Sequence, residues 1–166
     1  MSSRFCHQLP EAKSLPVIVS ESDFNIAEEY ERLRASTDNT PGAIVQFVGL
    51  VRDFNQDGEV QTLELEHYAG MTEAVIGDIC TQAQQRWNIS EPTVIHRVGK
   101  LQPTDQIVLV AIASSHRADA FAACEFVMDQ LKTNATFWKK EKRSGHTDDW
   151  LAMKDSDRQR AQRWEK

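Results

Sequence analysis

Hydrophobic and polar residues alternate along this chain with two periods, and the switches between them mark the elements. Gly42–Arg52 (GAIVQFVGLVR) is apolar almost throughout, rich in β-branched residues and closed by an arginine, which reads as a central strand. Val60–Tyr68 alternates, with Leu63, Leu65 and His67 on one face and Thr62, Glu64 and Glu66 on the other. That is a half-buried strand. The intervening Asp53–Gly58 carries an Asp-Gly hairpin signal, so the two strands are expected to pair antiparallel. Gly70–Trp87 changes to the helical period, with Ile76, Ile79, Cys80, Ala83 and Trp87 on one stripe. Pro92–Leu101 reads as a strand with Gly99–Asp105 as its exit loop, and Gln106–Ala113 (QIVLVAIA) as a second buried strand. Ser114 or Ser115 is then placed to cap a helix running to about Asn134, with Phe121, Cys124, Met128 and Leu131 as its core stripe. Phe137–Arg143 alternates as a short strand. Asp155–Lys166 is polar enough for a terminal helix held by Trp164.

The beginning of the chain is less patterned. Residues 1–14 have no period and are expected to form a loose tail, leaving 15–166 as a single domain. Leu15–Val19 is an apolar run interrupted by Pro16, which suits an edge strand. Ser22 or Asp23 can cap a helix that places Ile26, Tyr30 and Leu33 on one face, and Thr37–Gly42 reads as a turn. The order of elements predicts an α+β fold with a mostly antiparallel sheet and helices packed on it. The chain has no Gly-rich phosphate loop, which argues against a dinucleotide or P-loop fold.

Composition narrows the function classes. At 166 residues and 40% hydrophobic, the chain can build a core of its own. No window approaches the ~18 apolar residues of a membrane span. The opening MSSRFCHQLPEAK lacks an apolar signal core, so a cytoplasmic setting is expected. Cys6, Cys80 and Cys124 are odd in number and far apart, which gives neither a disulfide framework nor metal-ligand spacing. The net charge of −6 argues against general nucleic-acid binding. Against that acidic background, Lys132–Arg143 (KTNATFWKKEKR) sets five cations against the single acid Glu141. The island suits an anionic ligand or, alternatively, a solvated charged face.

Three places could carry chemistry. Ser114-Ser115-His116-Arg117 puts a histidine and an arginine at a helix start, where unpaired N–H groups and the helix dipole already favour anions. The bland alternative is two capping serines with solvated neighbours. Lys132 falls near a helix end, which the dipole favours. Lys139 follows Phe137 and Trp138, an apolar wall that could tune it for acid–base or oxyanion work. Arg52 closes a buried strand just before a loop, where it either caps the sheet or holds a ligand. His67 and His96 sit among apolar neighbours and read as half-core residues, and Cys124 lies on a core stripe.

Taken together, GLVR (Gly49–Arg52), LELEHYAGMTE (Leu63–Glu73), VIHRVG (Val94–Gly99), SSHR (Ser114–Arg117) and LKTNATFWK (Leu131–Lys139) occur in an order that closely resembles the large, catalytic subunit of molybdopterin synthase. The resemblance runs from about Gly42 onward. It implies an α/β hammerhead fold, a homodimer, and a heterotetramer with two small ubiquitin-like carrier subunits ending in a Gly-Gly thiocarboxylate. It also implies a sulfurtransferase that converts cyclic pyranopterin monophosphate to molybdopterin in molybdenum cofactor biosynthesis, with no metal and no cofactor of its own. Family positions fall here on Arg52, His116, Arg117, Lys132, Lys139, Lys140 and Glu141, with Lys132 and Lys139 as the catalytic pair. Leu50 departs from relatives that carry a lysine between the glycine and the valine. A binding module using the same basic island, or a scaffold with a vestigial pocket, are the alternatives. A pure scaffold gives no reason to retain all these polar positions together.

Overall fold

The computed structural model describes residues 17–36, 41–55, 58–143, 149–150 and 155–165. The expected tail, with Cys6, and most of the expected 37–42 turn lie outside them.

The organising strand is β7 (Gln106–Ser114), whose residues from Val108 to Ser114 are all buried. It lies between β5 (Thr93–Arg97) and β2 (Ala43–Leu50), both antiparallel to it, and β1 (Val17–Ser20) joins β5 in parallel at the outer edge. Alternate β7 side chains feed two cores. Val108, Val110 and Ile112 meet α2 (Met71–Arg86) and α3 (Arg117–Asn134) through Ile76, Ile79, Ala83, Ala123, Phe126 and Val127. Leu109, Ala111 and Ala113 meet Leu33 of α1 (Ile26–Ser36). Burial on both faces is why this segment reads as an unbroken apolar run.

A second sheet forms around β4 (Gly58–His67), which pairs with β3 (Phe54–Asn55), β6 (Gly99–Leu101) and β8 (Phe137–Arg143). The two-residue β9 (Asp149–Trp150) adds to β8. Leu63, Leu65, Val98 and Leu101 fill its core with Val51. A last helix, α4 (Asp155–Gln162), leads to Trp164, whose ring packs on Trp87 and Phe126 and whose Nε1 donates to Asp129 Oδ2 at 2.9 Å. The α+β architecture, the terminal helix held by Trp164 and the helix over 71–86 match the sequence reading.

Several expectations need correction. The 42–52 segment is an edge strand of the first sheet rather than a central one, with Phe47 41% and Leu50 52% exposed. It pairs with β7 and not with 60–68. The chain leaves the sheet at Val51, whose N–H donates to the Asp105 carbonyl at 2.9 Å and whose carbonyl accepts from Thr104 at 2.8 Å. β4 pairs instead with β3, with Asn55 in register with Gly58. The 92–101 strand is two strands in different sheets, divided at Val98, with Gly99 at φ 78° re-aiming the chain. Asn25, not Ser22 or Asp23, caps α1, its Oδ1 accepting from Ala27 and Glu28. Of that helix's expected apolar face only Leu33 is buried. On α3, Phe121 is 63% exposed, and Ala120, Ala123 and Phe126 are in the core.

Candidate active site

The cations of the site are distributed by the direction of α3. β7 begins beside Leu50 and ends beside Ala43. α3 then folds back over β7 and β2, with Cys124 Sγ 3.9 Å from the Val110 carbonyl midway. The start of α3 therefore lies at the Gly42 end of the first sheet, and its last turn at the end where β2 gives way to Arg52.

At the first end, His116 occupies the cap position of α3 in an extended conformation, with no side-chain cap. Ser114 belongs to β7. Its Oγ accepts from the His116 N–H at 3.1 Å and donates to the Asn88 carbonyl at 2.8 Å. Neither serine caps with its side chain, which leaves the N–H groups of the first turn to face outward. They front an open cleft of about 580 Å³ lined by Gly42, Ser115, His116, Arg117, Ala118 and Asp119. A Cβ at Gly42 would collide with the Ser115 carbonyl oxygen, so glycine is what lets β2 close one wall. His116 and Arg117 are exposed. Unpaired N–H groups, a guanidinium and an imidazole around an open cleft suit a phosphate or similar anion.

At the other end, Lys132 is exposed on the last turn of α3, and the chain re-enters the second sheet after only Ala135 and Thr136. Lys139 lies opposite Leu65 and Lys140 opposite Glu64, both half-buried, and Glu141 stands in register with Leu63 and Asp149. Arg52 is exposed directly after buried Val51. Within the field of Lys132 lies His96, its ring stacked on Phe137 at 3.8 Å and its Nδ1 2.8 Å from the Arg97 carbonyl. Burial pushes the His96 imidazole down to about 4, helped by the charges of His67 and Lys132 and opposed by the bond to Arg97. His67 is also half-buried, with Nε2 3.6 Å from Glu73.

The structure thus gathers Arg52, Lys132, Lys139 and Lys140 at one end and sets His116 and Arg117 at the other. At 1.5 Å per helical residue, Arg117 and Lys132 are roughly 22 Å apart along α3. The basic island was visible in sequence. The stack beneath it was not, because His96 and Phe137 are 41 positions apart and belong to different sheets. Both described cysteines are held as thiols by burial, Cys80 at about 12 and Cys124 at about 11, so neither is an activated nucleophile.

The chain is similar to known proteins along most of its length. The MoaE protein family model matches residues 19–134. The molybdopterin synthase catalytic subunit of Vibrio cholerae is 52% identical over 149 residues, covering 90% of this chain and 97% of its own. That of Escherichia coli K12 is 44% identical over 148 residues, covering 89% and 97%. Among solved structures, molybdopterin cofactor biosynthesis protein E from Burkholderia multivorans superposes with a TM-score of 0.76 at 47% identity, covering 90% of this chain and 95% of that one. Molybdopterin synthase from Staphylococcus aureus gives 0.73 at 28% identity, covering 82% and 96%.

Proposed function

This chain belongs to the MoaE family of molybdopterin synthase catalytic subunits, and on that premise we propose a division of labour between the two ends of α3. The chain is a sulfurtransferase of molybdenum cofactor biosynthesis. In this reading residues 15–166 act as one domain in the cytoplasm. The substrate is cyclic pyranopterin monophosphate. The sulfur arrives twice, each time on the C-terminal Gly-Gly thiocarboxylate of a small carrier subunit, and the product carries a dithiolene. That the relatives are named catalytic subunits supports a partner of this kind.

The observation that carries the proposal is the separation of the cations. A pterin phosphate cannot span roughly 22 Å, yet it needs both an anion cradle and a charge at the reacting centre. A homodimer resolves this if the His116–Arg117 cleft of one copy faces the Arg52–Lys132–Lys139 end of the other. The His116 and Arg117 groups then hold the phosphate, with Arg52 orienting the pterin. Lys132 pairs with the incoming thiocarboxylate and stabilises the negative charge that develops as sulfur is transferred. Lys139 moves or holds a proton, with Lys140 and Glu141 beside it in the strand. The carrier's glycines suit a narrow approach, because they let backbone come close. No described helix is long and apolar enough to cross a membrane.

The test is incubation with thiocarboxylated carrier and cyclic pyranopterin monophosphate, followed by mass analysis of the pterin for two added sulfurs. Light scattering should give a dimer, and a heterotetramer with carrier. Mixing and re-equilibrating two impaired variants, Lys132→Ala and Arg117→Ala, should restore activity at pterin concentrations too low to saturate Arg117→Ala, since a mixed dimer has one site with both residues intact. No restoration despite subunit exchange would overturn the shared site. Undiminished transfer from a carrier extended past its last glycine would count against the narrow channel.

A further inference from the structure

Phe137 opens β8 and stands between the two lysines in the chain, five residues after Lys132 and two before Lys139. Its N–H donates to the Ala135 carbonyl at 2.9 Å, so the link from α3 to β8 is a tight turn. Residues i and i+2 of a strand share a face, so Phe137 and Lys139 leave β8 on the same side. That side meets His96, whose ring lies on Phe137 at 3.8 Å with the planes 17° apart.

His96 comes from the other sheet. It sits on β5 between Val19 and Val108, so the stack joins the two sheets directly beneath the lysines. A carbonyl oxygen can only accept, so the 2.8 Å contact with Arg97 places the His96 proton on Nδ1 and leaves Nε2 bare. The ring is thereby fixed in orientation as well as position. Being neutral, it sets no like charge near Lys132, whose field it feels.

We propose that His96 is a positioning residue for sulfur transfer: held by the Arg97 carbonyl and stacked on Phe137, its ring fixes the placement of Lys139 on β8 relative to Lys132 on α3. This rests on the roles given above to the two lysines. A histidine that served packing alone would affect melting temperature and leave the turnover of folded enzyme unchanged. A positioning role shows in kcat, because displacement of a reacting group by about 1 Å can cost up to ~10²-fold.

The experiment compares wild type, His96→Ala and His96→Phe in complex with thiocarboxylated carrier, with kcat and KM for the pterin measured below each variant's melting temperature. His96→Ala should lose roughly tenfold or more in kcat with KM within about threefold of wild type. His96→Phe keeps a flat ring on Phe137 and should recover most of that loss. Wild-type kcat in folded His96→Ala, or equal impairment of both variants, would overturn the proposal. If His96→Ala does not fold by circular dichroism, Phe137→Leu removes the stack from its other side, and the same kcat criterion applies. Lys132→Ala is assayed in parallel. Full activity there would remove the lysine assignment itself, whereas an inactive Lys132→Ala beside a fully active His96→Ala would remove only the positioning role.

Discussion

The two ends of α3 hold similar charges in opposite ways. At its start, His116 and Arg117 are consecutive, exposed and set around an open cleft, and their helix supplies further donors without any contribution from distant chain. At its finish, the cations come from the exit of β2, the last turn of α3 and the β8 strand, beside a half-buried ring stack that joins β5 to β8. The first arrangement is inexpensive to build and suits holding an anion that is already charged. The second fixes several groups relative to one another, which matters where charge develops during reaction. The contrast implies that substitutions at the two ends should differ in kind.

The largest expected effect separates them. Lys132→Ala should lower kcat by ~10²–10³, about 3–4 kcal/mol, because a preorganised charge at a developing anion is lost. Arg117→Ala should chiefly raise KM, by roughly ten- to a hundredfold, since a phosphate contact stabilises bound substrate and transition state alike. Steady-state kinetics on both variants checks this. A Lys132→Ala defect confined to KM would erase the distinction between the ends. Lys132→Arg sharpens it, because it keeps charge while changing shape and barring deprotonation. Near-full activity would make Lys132 a fixed charge only.

The same contrast explains what was legible in the sequence. The strand-to-helix junction at 114–117 is local, so its residues and their chemistry could be read from four consecutive letters, although the cap fell on His116 rather than a serine. The doubly buried β7 and the stripe of α2 were legible because burial imposes a period. The 42–52 run was misplaced because an edge strand packed against α3 carries the same apolar residues as a central one. Its true neighbour was decided by Val51 bonding to the 104–105 turn, a contact over fifty residues away. The sheet change at Val98–Gly99 and the His96–Phe137 stack are likewise tertiary, and no periodicity encodes them. The resemblance carried the lysine roles, and the structure added that these lysines and the anion cleft are far apart within one chain.

A smaller effect probes the half-buried stack through pH. His96 sits at about 4 when folded, against 6.5 for a free imidazole, so the folded chain binds fewer protons than the unfolded one between those values. The stability that comes from keeping it neutral is complete above 6.5, declines as pH falls toward about 4, and levels off below. The full swing is up to roughly 3 kcal/mol. Urea unfolding at several pH values should show this decline in wild type, and His96→Phe should flatten it. His116 is exposed, so His116→Ala should leave the decline in place. An unchanged slope in His96→Phe would mean that other groups dominate acid sensitivity.

The smallest effect concerns backbone strain at the Lys132 end. Thr104 is the one described non-glycine residue with positive φ, 74°, a poor conformation for a β-branched side chain. Its N–H holds the Val51 carbonyl just before Arg52. Thr104→Gly keeps that N–H, relieves about 1–2 kcal/mol of backbone strain, and gives back roughly 0.4–1 kcal/mol through a freer unfolded chain. Because the Thr104 side chain is exposed, little packing is lost. The net gain should lie between about 0 and ~1.6 kcal/mol, a rise of ~6 °C at most in melting temperature for a chain of this size. Calorimetry checks the gain, and kinetics checks its cost. If the turn serves to place Arg52, KM should rise modestly, within about threefold, while kcat holds, because Arg52 orients substrate and Lys132 is untouched. A fall in kcat instead would join the 104 turn to the lysine cluster as one mechanical unit. Lower stability would show that the threonine side chain contributes more to this turn than its backbone costs.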